Sequence, residues 1–185
     1  MFQGWDSFFQ ITGEGAATLT GLLFVVVSLS QARERSVMLR AVSIYLTPTV
    51  LHFAVVLTIS AVSEAPRLTL GARAVLVGVA ALTGLGNGIW ACIGMTARRT
   101  PGTAPPHWSD VWLYGVAPTV LYAALLAASV AIAADADWAV HAMAALLLAL
   151  LLLGVRNGWD LITWMAPARG TKPDSPNPQP PNPTQ

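Results

Sequence analysis

The sequence predicts an all-α membrane protein, a polytopic bundle of five transmembrane helices. The 185-residue chain is 55% hydrophobic and 10% charged, whereas ordinary soluble domains carry about 25% charged residues. Five apolar stretches reach the roughly 20 residues that a helix needs to cross a bilayer, and turn-forming or charged segments separate them. A net charge of +1 offers no basic surface to nucleic acid. Soluble enzymes, nucleic-acid binders and disordered regulators are therefore excluded.

Each predicted span ends where charge, proline or glycine interrupts the apolar run. In chain order, the predicted spans are 8–29, 39–62, 70–95, 111–134 and 138–165. The breaks that follow them are 31–35, 64–67, 98–106, 135–137 and residue 167. Together they form a transmembrane domain over residues 1–166. The last segment, 167–185, is rich in proline and asparagine and has almost nothing apolar to bury, which predicts a disordered cytoplasmic tail.

The positive charges predict the orientation of the chain in the membrane. Seven basic residues lie in or beside the first and third breaks or in the tail, namely Arg33, Arg35, Arg40, Arg98, Arg99, Arg169 and Lys172. Only Arg67 and Arg73 fall on the other side, so we expect the N-terminus outside and the tail in the cytoplasm. No basic residue precedes the first span, which therefore lacks the start of a signal peptide. The preference for Arg over Lys and the Ala-rich composition suggest a bacterial inner membrane.

The last four spans contain an internal repeat at an offset of 70 residues. The segment Pro48–Leu51 reappears as Pro118–Leu121 without a gap. A second match in the same register pairs Gly84, Asn87, Gly88 and Met95 with Gly154, Asn157, Gly158 and Met165. The paired spans run in the same direction, so the sequence predicts a parallel duplication of a two-helix hairpin.

The first span carries small residues at Gly13, Ala17 and Gly21, a spacing that lets another helix approach closely. An aromatic pair precedes this stripe, and a Gly-Leu-Leu-Phe-Val segment ends it at Val25. Over about the first thirty residues the chain resembles a family of small, mostly uncharacterised multispanning bacterial inner-membrane proteins. The resemblance implies an architecture and no catalytic residues.

Glu14 is the most informative single residue, because an acid inside a membrane is costly unless it faces protein or water. It lies roughly 9 Å along its predicted helix. It has either a functional role or a structural one, in which it is protonated or bonds a neighbouring helix.

The two Gly-x-x-Asn-Gly motifs admit two interpretations. Gly84, Gly88, Gly154 and Gly158 are spaced for close helix contact, with Asn87 and Asn157 on the same faces. Pro48 and Pro118 each remove a backbone hydrogen bond at similar depth and leave a carbonyl for a nearby threonine or a ligand. The pattern fits a polar solute site at the pseudo-axis, but helix packing by duplication explains it more simply.

The remaining polar residues within the spans are few. Arg156 and Asp160 lie four apart on one helix and can neutralise each other, or Arg156 can contact an anion and Asp160 relay a proton. His52 lies near mid-membrane, where imidazole can enter proton chemistry or bond a carbonyl. The histidines are too dispersed for a metal or haem pair, and we predict no cofactor.

Three functions remain open. The first is an accessory or scaffolding protein that binds a larger membrane protein through its glycine-rich faces. The second is a subunit of a homo-oligomeric transporter or channel for an ion or small solute, with Glu14, His52, Asn87 and Asn157 lining the path. The third is a membrane enzyme using Glu14 and Asp160 on a lipid or isoprenoid-like substrate, and no hydrolase or phosphate-loop motif in the sequence supports it.

Overall fold

The computed structural model describes residues 2–29, 47–97 and 111–165, and within these residues every regular element is helical. The five helices are α1, Asp6–Leu29; α2, Thr47–Glu64; α3, Leu70–Ala97; α4, Trp112–Ala133; and α5, Ala139–Met165. All five are long and apolar enough to cross a membrane, which confirms the predicted all-α multi-pass class. The predicted start of the second span at residue 39, the tail 167–185 and the basic segments 31–35 and 98–106 lie outside the described residues.

The helices pack chiefly as consecutive pairs. α1 lies against α2, and α3 lies against α4 along most of its length. α2 also contacts α3 and α5, while α4 contacts α5, so the last four helices form a continuous bundle with α1 on its outside. The fully buried core includes Val56, Ile59, Leu125 and Leu147. Large apolar side chains also cover the outer surface, as is typical of helices that face lipid.

Arg73 fastens one end of the bundle, which we call the N-terminal end because residue 2 lies there. Its guanidinium donates to the carbonyls of Val62 at 3.2 Å, of Ser63, and of Ala65 at 2.8 Å. These are last-turn and post-helix carbonyls of α2, where regular helical bonding ends, and the carbonyl of Val62 also accepts from the N–H of Ala65 at 3.3 Å. The same guanidinium lies 4.9 Å from the ring centre of Phe2. Arg73 therefore joins the α2–α3 turn to the start of the chain.

α4 begins with a π-helical turn at Trp112–Val116, at the opposite or C-terminal end of the bundle. The N–H of Ala117 donates to the carbonyl of Trp112, five residues earlier. Pro118 follows in the first turn of the α-helix and has no N–H to donate. The hydroxyl of Thr119 donates to the carbonyl of Gly115, four residues earlier, at 2.7 Å. The predicted perturbation at Pro118 thus takes the form of a widened turn.

Candidate functional site

Two glycines let aromatic rings pass close to the helices that carry them. A Cβ atom at Gly84 would overlap the ring of Tyr122, and one at Gly154 would lie 2.5 Å from the ring of Phe53. Both rings are almost fully buried. Gly84 and Gly154 therefore make close contacts within the chain, as the packing interpretation predicts.

A second pair of glycines lies one turn further along, with a close approach at Gly88 and contacts of ordinary distance at Gly158, whose nearest neighbour is Leu23 of α1 at 3.7 Å. A Cβ at Gly88 would lie 2.5 Å from the hydroxyl of Thr119, and one at Gly158 would lie 3.9 Å from the methyl of Thr49. Gly158 and Thr49 are the residues that an offset of 70 relates to Gly88 and Thr119. The glycine of α3 thus contacts the threonine of α4, and the glycine of α5 contacts the threonine of α2.

A hydrogen bond between His52 and Tyr122 joins α2 to α4 inside the bundle. The imidazole Nδ1 lies 2.8 Å from the phenol oxygen, and the two residues are 70 apart in sequence. Both side chains are buried, and the second ring nitrogen, Nε2, has no hydrogen-bond partner. The bond fixes the contact between the helices and leaves one polar nitrogen of His52 unused.

Asn157 is completely buried on α5, and both polar atoms of its carboxamide lack a hydrogen-bond partner. Its backbone carbonyl accepts a bond of 3.4 Å from the hydroxyl of Tyr114, which lies in the π-helical turn of α4. Leaving buried polar atoms without partners costs about 1–3 kcal/mol each, and such atoms call for an explanation. We call the buried, unpartnered polar groups of Asn157 on α5 and His52 on α2 together the internal polar centre, a name that implies no contact between them.

Asn87 differs from its counterpart Asn157, because it is only half-buried. The sequence hypothesis that both asparagines converge with Pro48 and Pro118 on one solute site stays a prediction, although the two asparagines differ in burial. Both prolines are buried. The pairing of α3 with α4 is much more extensive than that of α2 with α5, so the two halves of the repeat place their asparagines in different surroundings.

Glu14 lies on the exposed surface of α1, away from the internal polar centre. It is eight residues after the start of the helix, which is about 12 Å along the axis. Its Oε1 accepts a hydrogen bond of 3.1 Å from Nε2 of Gln10, one turn earlier on the same helix. Within one copy of the chain Glu14 is exposed whereas His52 and Asn157 are buried, and the expectation that the three residues line one path stays a prediction.

The predicted small-residue stripe of α1 divides between two faces. Gly13 is buried against α2, where an added Cβ would lie 3.0 Å from the Cβ of Ser60. Ala17 and Gly21 are exposed, and nothing lies within 4 Å of a Cβ at Gly21. Steps of four residues advance about 40° around a helix with 3.6 residues per turn, so three such residues do not stay on one face.

Arg156 and Asp160 form the ion pair that their spacing on α5 predicts. Nη1 of Arg156 lies 2.6 Å from Oδ2 of Asp160, and both side chains are nearly half exposed. Asp160 follows the start of α5 by 21 residues, whereas Glu14 is eight residues into α1. Because both helices begin at the N-terminal end, these acids lie near opposite ends of the bundle. They do not form the acid–base pair that the enzyme hypothesis requires.

Several residues of these sites were not predicted. Gln10 has a recognisable signal, since an amide one turn from an intramembrane acid is placed to bond it. Ser60 is buried with an unpartnered hydroxyl, and Tyr114 contacts α5 from within the π-helical turn. Neither carries a local pattern in the sequence.

Within the described ranges, no group of three or more His, Cys, Asp or Glu side chains is arranged to hold a metal ion. No protein-family model, curated protein or solved structure matches the chain. The resemblance of the first span to small bacterial membrane proteins stays a prediction. The proposed function therefore rests on the geometry of this chain.

Proposed function

We propose that the protein is an accessory membrane protein that binds another membrane protein through the outside of α1. The observation that carries this proposal is the position of Glu14, exposed on a helix that is otherwise apolar enough to span a bilayer. The exposed residues of α1 include Ser7, Gln10, Glu14, Ala17, Gly21, Phe24 and Ser28, together with Asp6, Ile11, Thr18, Leu22 and Val25. This face combines an acid, an amide and small residues.

An acid on this face is unfavourable if only lipid covers it. The insertion cost of a charged residue at the centre of a membrane helix is about 2.5–3.5 kcal/mol, and the bond from Gln10 satisfies only one carboxyl oxygen. Protein partners cover such groups, and small residues such as Ala17 and Gly21 let a partner helix come close enough. A protein–protein contact thus explains both features of the face.

The test is purification of the full chain from its native membrane in mild detergent. Wild-type chain is expected to bring down a membrane protein in a fixed ratio, and Ala17→Leu and Glu14→Leu are expected to reduce the yield of that complex. Val120→Leu is the control, because Val120 is also exposed but lies on α4. Recovery of a lone monomer, or equal loss with all three variants, would contradict the proposal.

Gly84→Leu is not a suitable probe of this surface. The sequence alone suggested that Gly84 belongs to a partner-binding face, but the ring of Tyr122 already covers it. A leucine there would disrupt the bundle itself.

Transport is a second candidate function, favoured by the unpartnered atoms of the internal polar centre. Nε2 of His52 and the carboxamide of Asn157 supply donors and acceptors inside an apolar bundle, as a small solute or ion would need. In proteoliposomes, Asn157→Leu should then abolish flux, whereas Asn87→Leu should leave most of it. Equal flux from both variants and wild type would exclude this function.

The finer points of architecture are also proposals. The duplication of the α2–α3 hairpin as α4–α5 is supported by the exchanged Gly–Thr contacts and by the bond between His52 and Tyr122, residues 70 apart. The positive charges support an N-out, C-in orientation. The composition supports a bacterial inner membrane.

A further inference from the structure

We infer that a groove between α1 and α5 binds one acyl chain of a zwitterionic phospholipid, with the lipid headgroup beside Arg156 and Asp160. Such a lipid site goes beyond the proposed function, because it lies on a different side of α1 from the small residues assigned to a protein partner. Three features point to this ligand: the shape and lining of the groove, its depth in the membrane, and the charges beside its edge.

The groove is an apolar cleft of about 180 Å³ that opens on the outside of the bundle. Leu19 and Leu22 of α1 line one side, Trp159 of α5 lines the other, and the buried ring of Phe53 lies at the inner side. Gly158 also lines the groove and contributes no side chain to it. An apolar cavity of about 150 Å³ admits benzene, whereas a helix is about 10–12 Å wide. The groove therefore accepts a short run of methylene groups and not another helix.

The edges of the groove belong to the apolar surface that faces lipid. Leu22, Val155 and Trp159 are exposed, and they lie on helices that are long and apolar enough to cross a membrane. A void beside these residues would lose dispersion contacts along its whole lining, and lipid chains are the apolar molecules that surround such a surface. A chain in the groove contacts α1, α5 and Phe53 together, so it is held more firmly than a chain on the outer surface.

The groove begins at the level of the lipid headgroups. Three exposed tryptophans lie at the C-terminal end of the bundle: Trp112 begins α4 there, and Trp90 and Trp159 each lie 20 residues after the start of their helices, which is about 30 Å. Tryptophan is enriched at membrane interfaces, and the hydrocarbon layer is about 30 Å thick. From Trp159 the groove extends inward to Gly154, in the direction in which an acyl chain leaves its headgroup.

A pair of opposite charges lies beside this edge of the groove. Arg156 and Asp160 each follow a groove residue by one position, Val155 and Trp159 respectively, which places them about 100° further around α5. Nη1 of Arg156 bonds Asp160, and both side chains are nearly half exposed. The guanidinium has further N–H groups that can donate to a phosphate, and the carboxylate can accept from an ammonium group. A headgroup that carries both charges therefore complements the pair.

The groove and the small residues of α1 lie on different sides of that helix. Leu19 follows Ala17 by two residues, and Leu23 follows Gly21 by two, so each leucine lies about 200° around the helix from the small residue before it. Both sides can be occupied at the same time. Ala17→Leu is therefore expected to weaken a protein complex without changing the affinity for lipid.

Native mass spectrometry tests the lipid site on the full chain, purified in mild detergent, stripped of lipid and titrated with palmitoyl-oleoyl phosphatidylethanolamine. The wild-type chain is expected to bind one lipid. Gly158→Leu fills the groove from a position where a Cβ makes only ordinary contacts, with Leu23 and Thr49, and should lower the affinity on the order of tenfold. Gly86→Leu is the matched control, because nothing lies within 4 Å of a Cβ there. Leu22→Trp narrows the groove from its exposed edge and should also lower the affinity, and thermal unfolding verifies that each variant is folded.

Diacylglycerol with the same two acyl chains separates the contribution of the headgroup from that of the chain. It is expected to bind the wild-type chain more weakly than the phospholipid does. Arg156→Gln combined with Asp160→Asn should reduce the affinity for the phospholipid to that for diacylglycerol. Equal binding of the two lipids to the wild-type chain would overturn the assignment of a zwitterionic phospholipid.

Further outcomes separate the lipid site from the proposed function. No lipid on the wild-type chain, or unchanged affinity in folded Gly158→Leu and Leu22→Trp, would overturn the lipid site. Recovery of a protein that Leu22→Trp displaces would also overturn it, because a side chain of that protein would then fill the groove. A lone chain that still binds one phospholipid would contradict the proposed function and support the lipid site.

Discussion

At the scale of single residues, the bond between His52 and Tyr122 is the polar contact whose removal has the clearest expected effect. Tyr122→Phe keeps the ring against Gly84 but removes the hydroxyl, so the Nδ1 atom of His52 loses its partner. We expect a loss of about 0.6–2 kcal/mol in the free energy of unfolding, measured by titration with denaturing detergent.

The control for that measurement is Thr58→Val, which alters an exposed hydroxyl on α2 and should change the free energy of unfolding by less than about 0.5 kcal/mol. The double variant His52→Phe with Tyr122→Phe should cost less than the sum of the single variants, because neither partner is then left unpaired. Additive costs would show that the two side chains are not coupled.

The glycines of α3 provide a matched pair of substitutions with opposite expected signs. Gly84→Ala places a methyl group against the buried ring of Tyr122, and overpacking of this kind costs about 1–3 kcal/mol. Gly86→Ala, half a turn away, meets nothing within 4 Å and should stabilise the helix by up to about 1 kcal/mol. Thermal unfolding in detergent measures both. Equal effects of the two variants would mean that Tyr122 does not lie on Gly84.

At the scale of elements, the positions of the helices could be predicted from the sequence, but the side of each helix that is buried could not. The spans follow from length and apolarity, which are local properties, so the observed α3, α4 and α5 lie within a few residues of the predicted ones. Which side of α1 is covered depends on where α2 lies, and periodicity alone did not separate Gly13 from Ala17. The π-helical turn at Trp112–Val116 depends on competition between backbone hydrogen bonding and side-chain packing. In the sequence, only Pro118 indicated a perturbation of the helix there.

The candidate sites, too, could be predicted from the sequence only in part. The spacing of Arg156 and Asp160 predicted their pairing, because both lie on one helix. The contrast between Asn157 and Asn87 could not be predicted from two identical motifs, since it depends on how closely the neighbouring helices approach. Exposure of Glu14 likewise follows from the placement of whole helices.

Arg73 gives a prediction about the turn between α2 and α3. Arg73→Gln removes a charged donor from the carbonyls of Val62, Ser63 and Ala65, and hydrogen bonds to charged groups contribute about 1.5–3 kcal/mol each at most. Amide hydrogen exchange of residues 65–72 should therefore accelerate at least tenfold. Arg67→Gln is the control, because Arg67 is exposed in the same turn. Unchanged exchange in Arg73→Gln would show that the guanidinium does not hold the turn.

At the scale of the whole molecule, an odd number of spans has a consequence for the two ends of the chain. Single crossings by the five candidate spans of the described residues would place residues 2 and 165 on opposite sides of the bilayer. With the orientation that the positive charges predict, Glu14 would lie nearer the outer side of the membrane.

Thiol labelling in intact cells tests that arrangement. In a Cys92→Ala background, Gln3→Cys is expected to react with a membrane-impermeant maleimide, because seven basic residues predict the other side as cytoplasmic. Gln185→Cys should react only after the cells are opened, and a variant with neither cysteine gives the background. Labelling of both positions in intact cells would require an even number of crossings. Labelling of Gln185→Cys alone would keep five crossings but reverse the orientation, so that Glu14 would lie nearer the cytoplasmic surface.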